Sequence, residues 1–411
     1  MGTTRKTVMR WERGVTPDQA AQAAMGELFE VDPEMRVRTE WPNWLPVDPL
    51  GNVSAPWNLA GTIEALVETA EHAIMDRRHF VLLMGAELLL PVYNWRINPG
   101  PFVALQARGR HVSEALVSEI EKLVMIRGEM SQHGGGGMLN MLHSDLRYVT
   151  ILLKNGTYSE SIGRRLFGAA ADLGMHAGWA AAEYERESAA QQYLFAALRA
   201  AAAAGDHARG VRIVGRLGMR ACETDRLRDA TQLMDAATAE AERKTPDVVQ
   251  AIAWTYAGRA YAKAGDGATA RRALAGASTR LGRATSGDAP AWSRWFDESW
   301  VAAETGRALC DLGDHKNGQK EIIAAIRSWA GAYPRDRIAC LSVLAVSHLR
   351  TGDVDAACDS GTQVVDLLAD QINSDRAQKL LRDFQKELAP FKDSASARDF
   401  TDYARSRLVA A

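Results

Sequence analysis

Cysteine is scarce: Cys222, Cys310, Cys340 and Cys358 lie far apart, with no CxxC pair among them. That spacing excludes a disulfide framework and a cysteine-rich zinc site, and it fits a reducing cytoplasm. Net charge is scarce too. Forty-nine basic against fifty-one acidic side chains leave −2, so no global field draws the chain onto nucleic acid or anionic lipid, and any DNA contact has to be local. A long apolar run is missing. The best candidate, VLLMGAELLLPV after Arg77-Arg78-His79-Phe80, imitates an export signal but starts near residue 80 and contains Glu87. At roughly a dozen residues it falls well short of the ~20 that span a bilayer, and it reads as a buried helix rather than a membrane element.

Signatures of catalysis are missing as well. The nine histidines include no HExxH and no His-Cys cluster, and no GxSxG elbow occurs. His72 and His79, and His133 and His143, have no metal-ligand pattern around them and read as core or surface residues. The glycine run 134–137 is followed by Met138-Leu139 rather than Lys-Ser or Lys-Thr, so it reads as a helix-helix connection and not as a phosphate loop. The carboxylates read as solvated helix faces and i, i+4 partners. No enzymatic activity, cofactor or metal is expected.

What is present is helix. The 411 residues are 47% hydrophobic and 24% charged, and from about residue 63 they are rich in Ala, Leu, Arg and Glu with no alternating strand pattern. Before that point the texture differs. Residues 32–62 carry Pro33, Pro42, Pro46, Pro49 and Pro56 with Trp41, Trp44 and Trp57. The prolines prevent long regular elements, and the tryptophans argue for a strap docked on a surface. Four zones result: 1–31, two short helices; 32–62, the strap; 63–137, a helical connecting region; and 138–411, a series of helices broken by tight turns.

Those turns read Lys154-Asn155-Gly156-Thr157, Ala264-Gly265-Asp266-Gly267, Leu312-Gly313-Asp314-His315 and Thr351-Gly352-Asp353-Val354, with fainter ones near Ser188 and Asp225 and within FKDSAS at 391–396. Glycine takes a left-handed helix end at little cost, and the acid beside it caps the next helix. A helix pair cannot bury its apolar faces alone, so pairs at a spacing of about 40 residues stack into a solenoid with a groove. AGRAYAKAGDGATARRAL (257–274) and LAVSHLRTGDVDAACDSG (344–361) resemble tetratricopeptide repeats. The resemblance implies an all-α, right-handed superhelical solenoid of about seven pairs. In PAWSRWFDESWVAAETGRAL, Trp292, Trp295, Phe296 and Ser299 share one helical face with Trp300 beside it. Packing between repeats is one reading of that arc; the other is a groove lined by Trp254, Trp292, Trp295 and Trp300 that grips an apolar ligand or a peptide.

The opening residues carry a local basic surplus. A helix from about Arg5 to Arg13, ended by Gly14, presents Thr4, Arg5, Lys6 and Arg10 away from the apolar edge Val8-Trp11, and Thr16-Pro17 opens a second helix. Arginine reaches guanine bidentately, and lysine and threonine reach bases or phosphates. TRKTVMRWERGVTPDQAAQAAMGELFEV is similar to the back half of XRE-type helix-turn-helix domains. Their first two helices have no counterpart here, so weak DNA binding with little sequence preference is expected of this chain. WPNWLPVDPL, APWNLAGTIEAL and MDRRHFVLL resemble the linker of high-GC bacterial regulators that join such a domain to tetratricopeptide repeats. The resemblance implies a cytoplasmic, homodimeric regulator of transcription, of secondary metabolism or development, whose repeats receive a peptide, a small-molecule effector or a protein partner. The alternative is an interaction scaffold without direct DNA binding.

Overall fold

Six helix ends close in the same way. A backbone N–H donates to the carbonyl five residues earlier at Arg186 to Ala181, Asp206 to Ala201, Arg226 to Ala221, Asp266 to Tyr261, Asp314 to Leu309 and Asp353 to His348, all at 2.9–3.0 Å. This is the six-to-one bond of a left-handed helix cap, which needs one residue at positive φ. Gly205, Gly265, Gly313 and Gly352 supply it at φ 70, 85, 82 and 82°. Glu185 and Asp225 supply it at φ 55 and 59°, without the freedom of glycine. Asp206, Asp266 and Asp353 then cap the following helix, each accepting the N–H three residues on, from Arg209 at 2.9 Å, Thr269 at 3.0 Å and Ala356 at 3.0 Å.

The computed structural model describes residues 7, 11, 15–28, 36, 38, 40–41, 54–72, 82–98, 109–133, 137–285 and 287–409. Among these the chain is all-α. The helices are α1 Gln19–Leu28, α2 Leu59–His72, α3 Ala86–Ile97, α4 Glu114–His133, α5 Met138–Asn155, α6 Glu160–Glu183, α7 Glu187–Ala204, α8 His207–Glu223 and α9 Leu227–Lys244. They continue as α10 Asp247–Lys263, α11 Gly267–Leu281, α12 Glu298–Asp311, α13 His315–Ser328, α14 Pro334–Arg350, α15 Val354–Asp370, α16 Asp375–Leu388 and α17 Ala395–Val409. The apolar run after residue 81 enters α3, and no helix among the described residues is long and apolar enough to cross a membrane. Its Arg77-Arg78-His79-Phe80 prefix lies outside the described residues, as do Trp44 and Gly134 to Gly136.

Helices pack as consecutive pairs, α6 with α7, α8 with α9, α10 with α11, α12 with α13 and α14 with α15, and the first helix of each pair also meets the first helix of the next. Among the described residues five such pairs stand where about seven were expected; α16 and α17 pack instead on α14 and α15. This arrangement is consistent with a helical solenoid. Close approach is built into the pairs: at Gly306 of α12 a Cβ would sit 2.7 Å from the Gly318 carbonyl oxygen of α13. The pair α6–α7 is Ala-rich and buried nearly all round, because α2, α3, α4, α5 and α8 cover it. Helices apolar on every side belong in a core, and alanine lets their axes approach closely.

Three local expectations need correction. The Gly156-Thr157 turn forms a two-residue parallel ladder with Arg110–His111, although no strand was expected. Trp292 and Trp295 are not on an α-helix: Ala291–Ser293 is a 3-10 turn, and α12 starts only at Glu298. Pro290 disfavours a helix before it, and Asp297 caps the new one by accepting from Ser299 N at 2.9 Å. At the N-terminus, α1 is capped by Asp18, which accepts from Ala21 N at 2.8 Å, rather than starting at Thr16.

The strap is docked where it is described. Arg199 of α7, 1% exposed, donates to the Ala55 and Pro56 carbonyls at 2.6 and 3.0 Å and lies 4.5 Å over the Trp57 ring. Trp57 donates its indole N–H to the Asn98 carbonyl at 3.1 Å. Burial pushes the Arg199 guanidinium down to about 10.

Candidate functional site

The first helix of each pair carries a stripe of polar and aromatic side chains at three- and four-residue spacing: Asp172, His176, Trp179 and Glu183 on α6; Arg209, Arg212, Arg216 and Arg220 on α8; Trp300, Glu304, Arg307 and Asp311 on α12. On an isolated helix such a stripe is a solvated face. Here the stripes of α6, α8, α10, α12, α14 and α16 face one another, and they enclose a cavity of about 60 Å³. The carboxylates expected on solvated faces are therefore partly drawn inside, because the pairs turn their first helices inward.

Ion pairs compensate most of this buried charge. Arg209 and Arg212 approach Asp172 at 3.0 and 3.5 Å. Arg259 and Arg307 share Glu304 at 3.3 and 2.8 Å, and Arg259 also pairs with Asp311. Glu223 is held by Arg220 and, at 2.5 Å, by Arg376. Burial would raise the Glu223 carboxyl, but the pull of Arg376 and Arg220 overrides it and holds the group down at about 2. Glu183, with its side chain 3% exposed, accepts from Ser374 at 2.5 Å, Trp179 at 3.0 Å and Arg376 at 3.2 Å. Its carboxyl also sits below the usual range: Arg376, Arg335 and the Ser374 hydroxyl outweigh burial. Burial, with Arg212 and Arg216 nearby, pushes His176 down to about 3. Burial pushes Arg212 down to about 10, with Asp172 offsetting part of the cost.

Three groups on the cavity wall stand outside these pairs. Arg216 lies over the rings of Trp179 and Tyr256 at 4.2 and 5.7 Å, and its Nε has no hydrogen-bond partner. Asp336, in the first turn of α14, has a buried Oδ2 with no partner, and burial pushes its carboxyl up to about 6 despite Arg216. The Trp300 indole N–H is also unpartnered on a residue 8% exposed. A larger, more open hollow of about 550 Å³ lies between the end of α15, α16 and Leu408.

Of the four tryptophans expected in a groove, only Trp300 lines the central cavity. Trp295 packs edge-on against Trp300, with centroids 4.8 Å apart, in a cluster with Phe296, Trp329 and Tyr333. Trp292 lies under Arg212 at 4.6 Å, and Trp254 turns toward α11, where Arg280 covers it at 4.5 Å. The DNA-facing set Thr4, Arg5, Lys6 and Arg10 lies outside the described residues; Thr7 and Trp11 beside them are helical. His143 holds the Tyr193 hydroxyl at 2.7 Å and is depressed by burial, a core role. Sequence reasoning missed Arg216 and Asp336. The signal was an arginine every three or four positions on α8 between small residues and aliphatics, a spacing that a surface would not require. Neither a family model nor a curated protein matches the chain.

Proposed function

We propose that the chain is a cytoplasmic transcriptional regulator built from an XRE-type helix-turn-helix segment, a strap and a right-handed superhelical array of tetratricopeptide-like pairs. In this reading the array receives an effector and mediates homodimerisation. The observation that carries it is the enclosed cavity whose wall holds Arg216, Asp336 and Trp300 with polar atoms uncommitted. Buried polar groups without partners are costly, so a wall that keeps these three outside any ion pair suits a ligand more than a packed core. The DNA-binding part rests on the likeness of residues 4–31 to such domains, and the dimer draws support from Met125, Ile126, Met130, Tyr148 and Ile151, exposed on the adjoining helices α4 and α5. An effector shifts the array only if it binds two of its states with different affinity.

Crosslinking the full chain to DNA in its own cells tests this reading. Enrichment upstream of genes, lost on replacing Arg5, Lys6 and Arg10 by alanine, is the expected result. Uniform background for the unaltered chain overturns it and leaves an interaction scaffold.

A further inference from the structure

The cavity's charged side chains fall into two sets. Glu183, Glu223 and Glu304 are each ion-paired with at least one arginine, and Arg220, Arg307 and Arg376 are engaged with them, although Glu304 Oε2 and the Nε atoms of Arg220 and Arg307 make no hydrogen bond. Outside these ion pairs, among the described residues of the wall, stand one cation, one acid and one neutral donor, each with an atom that makes no hydrogen bond: Arg216, Asp336 and the Trp300 N–H. Among the cations acting on Asp336, Arg216 is the strongest, with Arg376 and Arg307 behind it and Glu304 opposing.

Each simple ligand class fails against that set. A plain anion satisfies Arg216 and Trp300 but meets Asp336 and Glu304. A plain cation satisfies Asp336 and meets four arginines. An apolar molecule leaves all three groups unmade, at the cost of desolvation. A carboxylate next to an ammonium answers all of them. The 60 Å³ of space has room for roughly four waters, about the five heavy atoms of such a head group. Met175, Leu194 and Met219 form an apolar part of the wall.

We propose that this cavity binds a small free α-amino acid with an uncharged side chain of at most a carbon or two, its carboxylate on Arg216 and the Trp300 N–H, its ammonium on Asp336 and its Cα side facing Met175, Leu194 and Met219. The assignment rests on the effector-binding part of the reading above and narrows it from peptides, proteins and other small molecules to one class. The stacking of Arg216 on Trp179 and Tyr256 fixes a guanidinium that forms no salt bridge among the described residues, which keeps it ordered.

The test is thermal-shift and calorimetric titration of the full chain, without DNA, near neutral pH, with each proteinogenic L-α-amino acid and its N-acetyl and carboxamide forms. At least one small free amino acid with an uncharged side chain raises Tm saturably, and its blocked forms do not. Arg216→Gln and Asp336→Asn each weaken binding about tenfold or more with the helical circular-dichroism signal unchanged; Trp300→Phe, which keeps an aromatic side chain and removes the indole N–H, weakens it less. If Arg216→Gln fails to fold, Asp336→Asn and Trp300→Phe decide. No saturable shift from any small free amino acid, or equal shifts from blocked and free forms, overturns the proposal. Amino-acid binding without DNA enrichment in cells upholds it and removes only the DNA-binding part of the regulator reading.

Discussion

Arg376 donates to Glu183 at 3.2 Å although 193 positions of chain separate them, and its other nitrogen reaches Glu223 at 2.5 Å. One side chain at the start of α16 thus ties together the ends of α6 and α8. The last helices of the array are pinned to the first ones, and the cavity is closed at that end by an ion network rather than by apolar packing.

Removing one partner of a buried pair leaves the other charge uncompensated. Arg376→Ala should lower the unfolding free energy by about 3 kcal/mol, read from urea denaturation. A loss within the noise of the measurement shows that α16 is not held by Glu183 and Glu223.

The pH dependence of stability should carry opposing contributions. The Asp336 carboxyl is raised from 3.8 to about 6 in the folded chain, so its contribution is complete below 3.8 and is lost as pH rises through about 6. That loss is on the order of 3 kcal/mol. Glu223 is lowered from 4.5 to about 2 and His176 from 6.5 to about 3. Both contribute at higher pH and lose their contribution as pH falls, Glu223 below 4.5 and His176 below 6.5. Because His176 and Asp336 act in overlapping windows with opposite sign, the difference between the natural chain and Asp336→Asn isolates Asp336. Asp336→Asn should gain stability relative to the natural chain as pH rises from 4 toward neutral, by Tm measured across pH; parallel curves refute the assignment.

Arg199 ties the described end of the strap to α7. Arg199→Ala removes two hydrogen bonds to the Ala55 and Pro56 carbonyls and the cation beneath Trp57. A cost of about 2–4 kcal/mol is expected, together with faster protease cleavage near residues 54–58 under native conditions. Unchanged cleavage means that the strap is held elsewhere.

Gly318 has no room for a side chain: a Cβ there would meet the Cys310 sulfur at 2.5 Å and the Gly306 oxygen at 2.7 Å. Gly318→Ala should separate α12 from α13 and cost about 1–3 kcal/mol, seen as a lower Tm.

Where a turn lacks glycine, one should help. Glu185 holds φ 55° in a turn bonded like the glycine turns. Among the described residues its side chain makes an exposed 3.7 Å contact to Lys379. Glu185→Gly should be neutral or stabilise by up to about 1 kcal/mol despite the entropy glycine adds to the unfolded chain. A clear loss in chemical denaturation would show that the contact with Lys379 matters more than the backbone.

The Gly-Asp turns at 265–266, 313–314 and 352–353 were legible because local chemistry decides them: one residue at positive φ and one capping acid. Gly205-Asp206 obeys the same rule and was overlooked inside an alanine run. The turns at Glu185 and Asp225 were only faintly legible, since non-glycine residues occupy the strained position. The tryptophan arc misled because helical periodicity was extended across Pro290 and Asp297, which break the helix.

Helix content, turn positions and caps were thus determined by the sequence alone, because each depends on interactions spanning at most five residues. The placement of Arg216, Trp300 and Asp336 around one cavity, and of Arg376 against Glu183, was decided only by the tertiary structure. A charged stripe on a single helix has the same pattern whether it faces water or five other helices, and what separates the two cases is the direction in which successive pairs turn, set by long-range packing that no local spacing records.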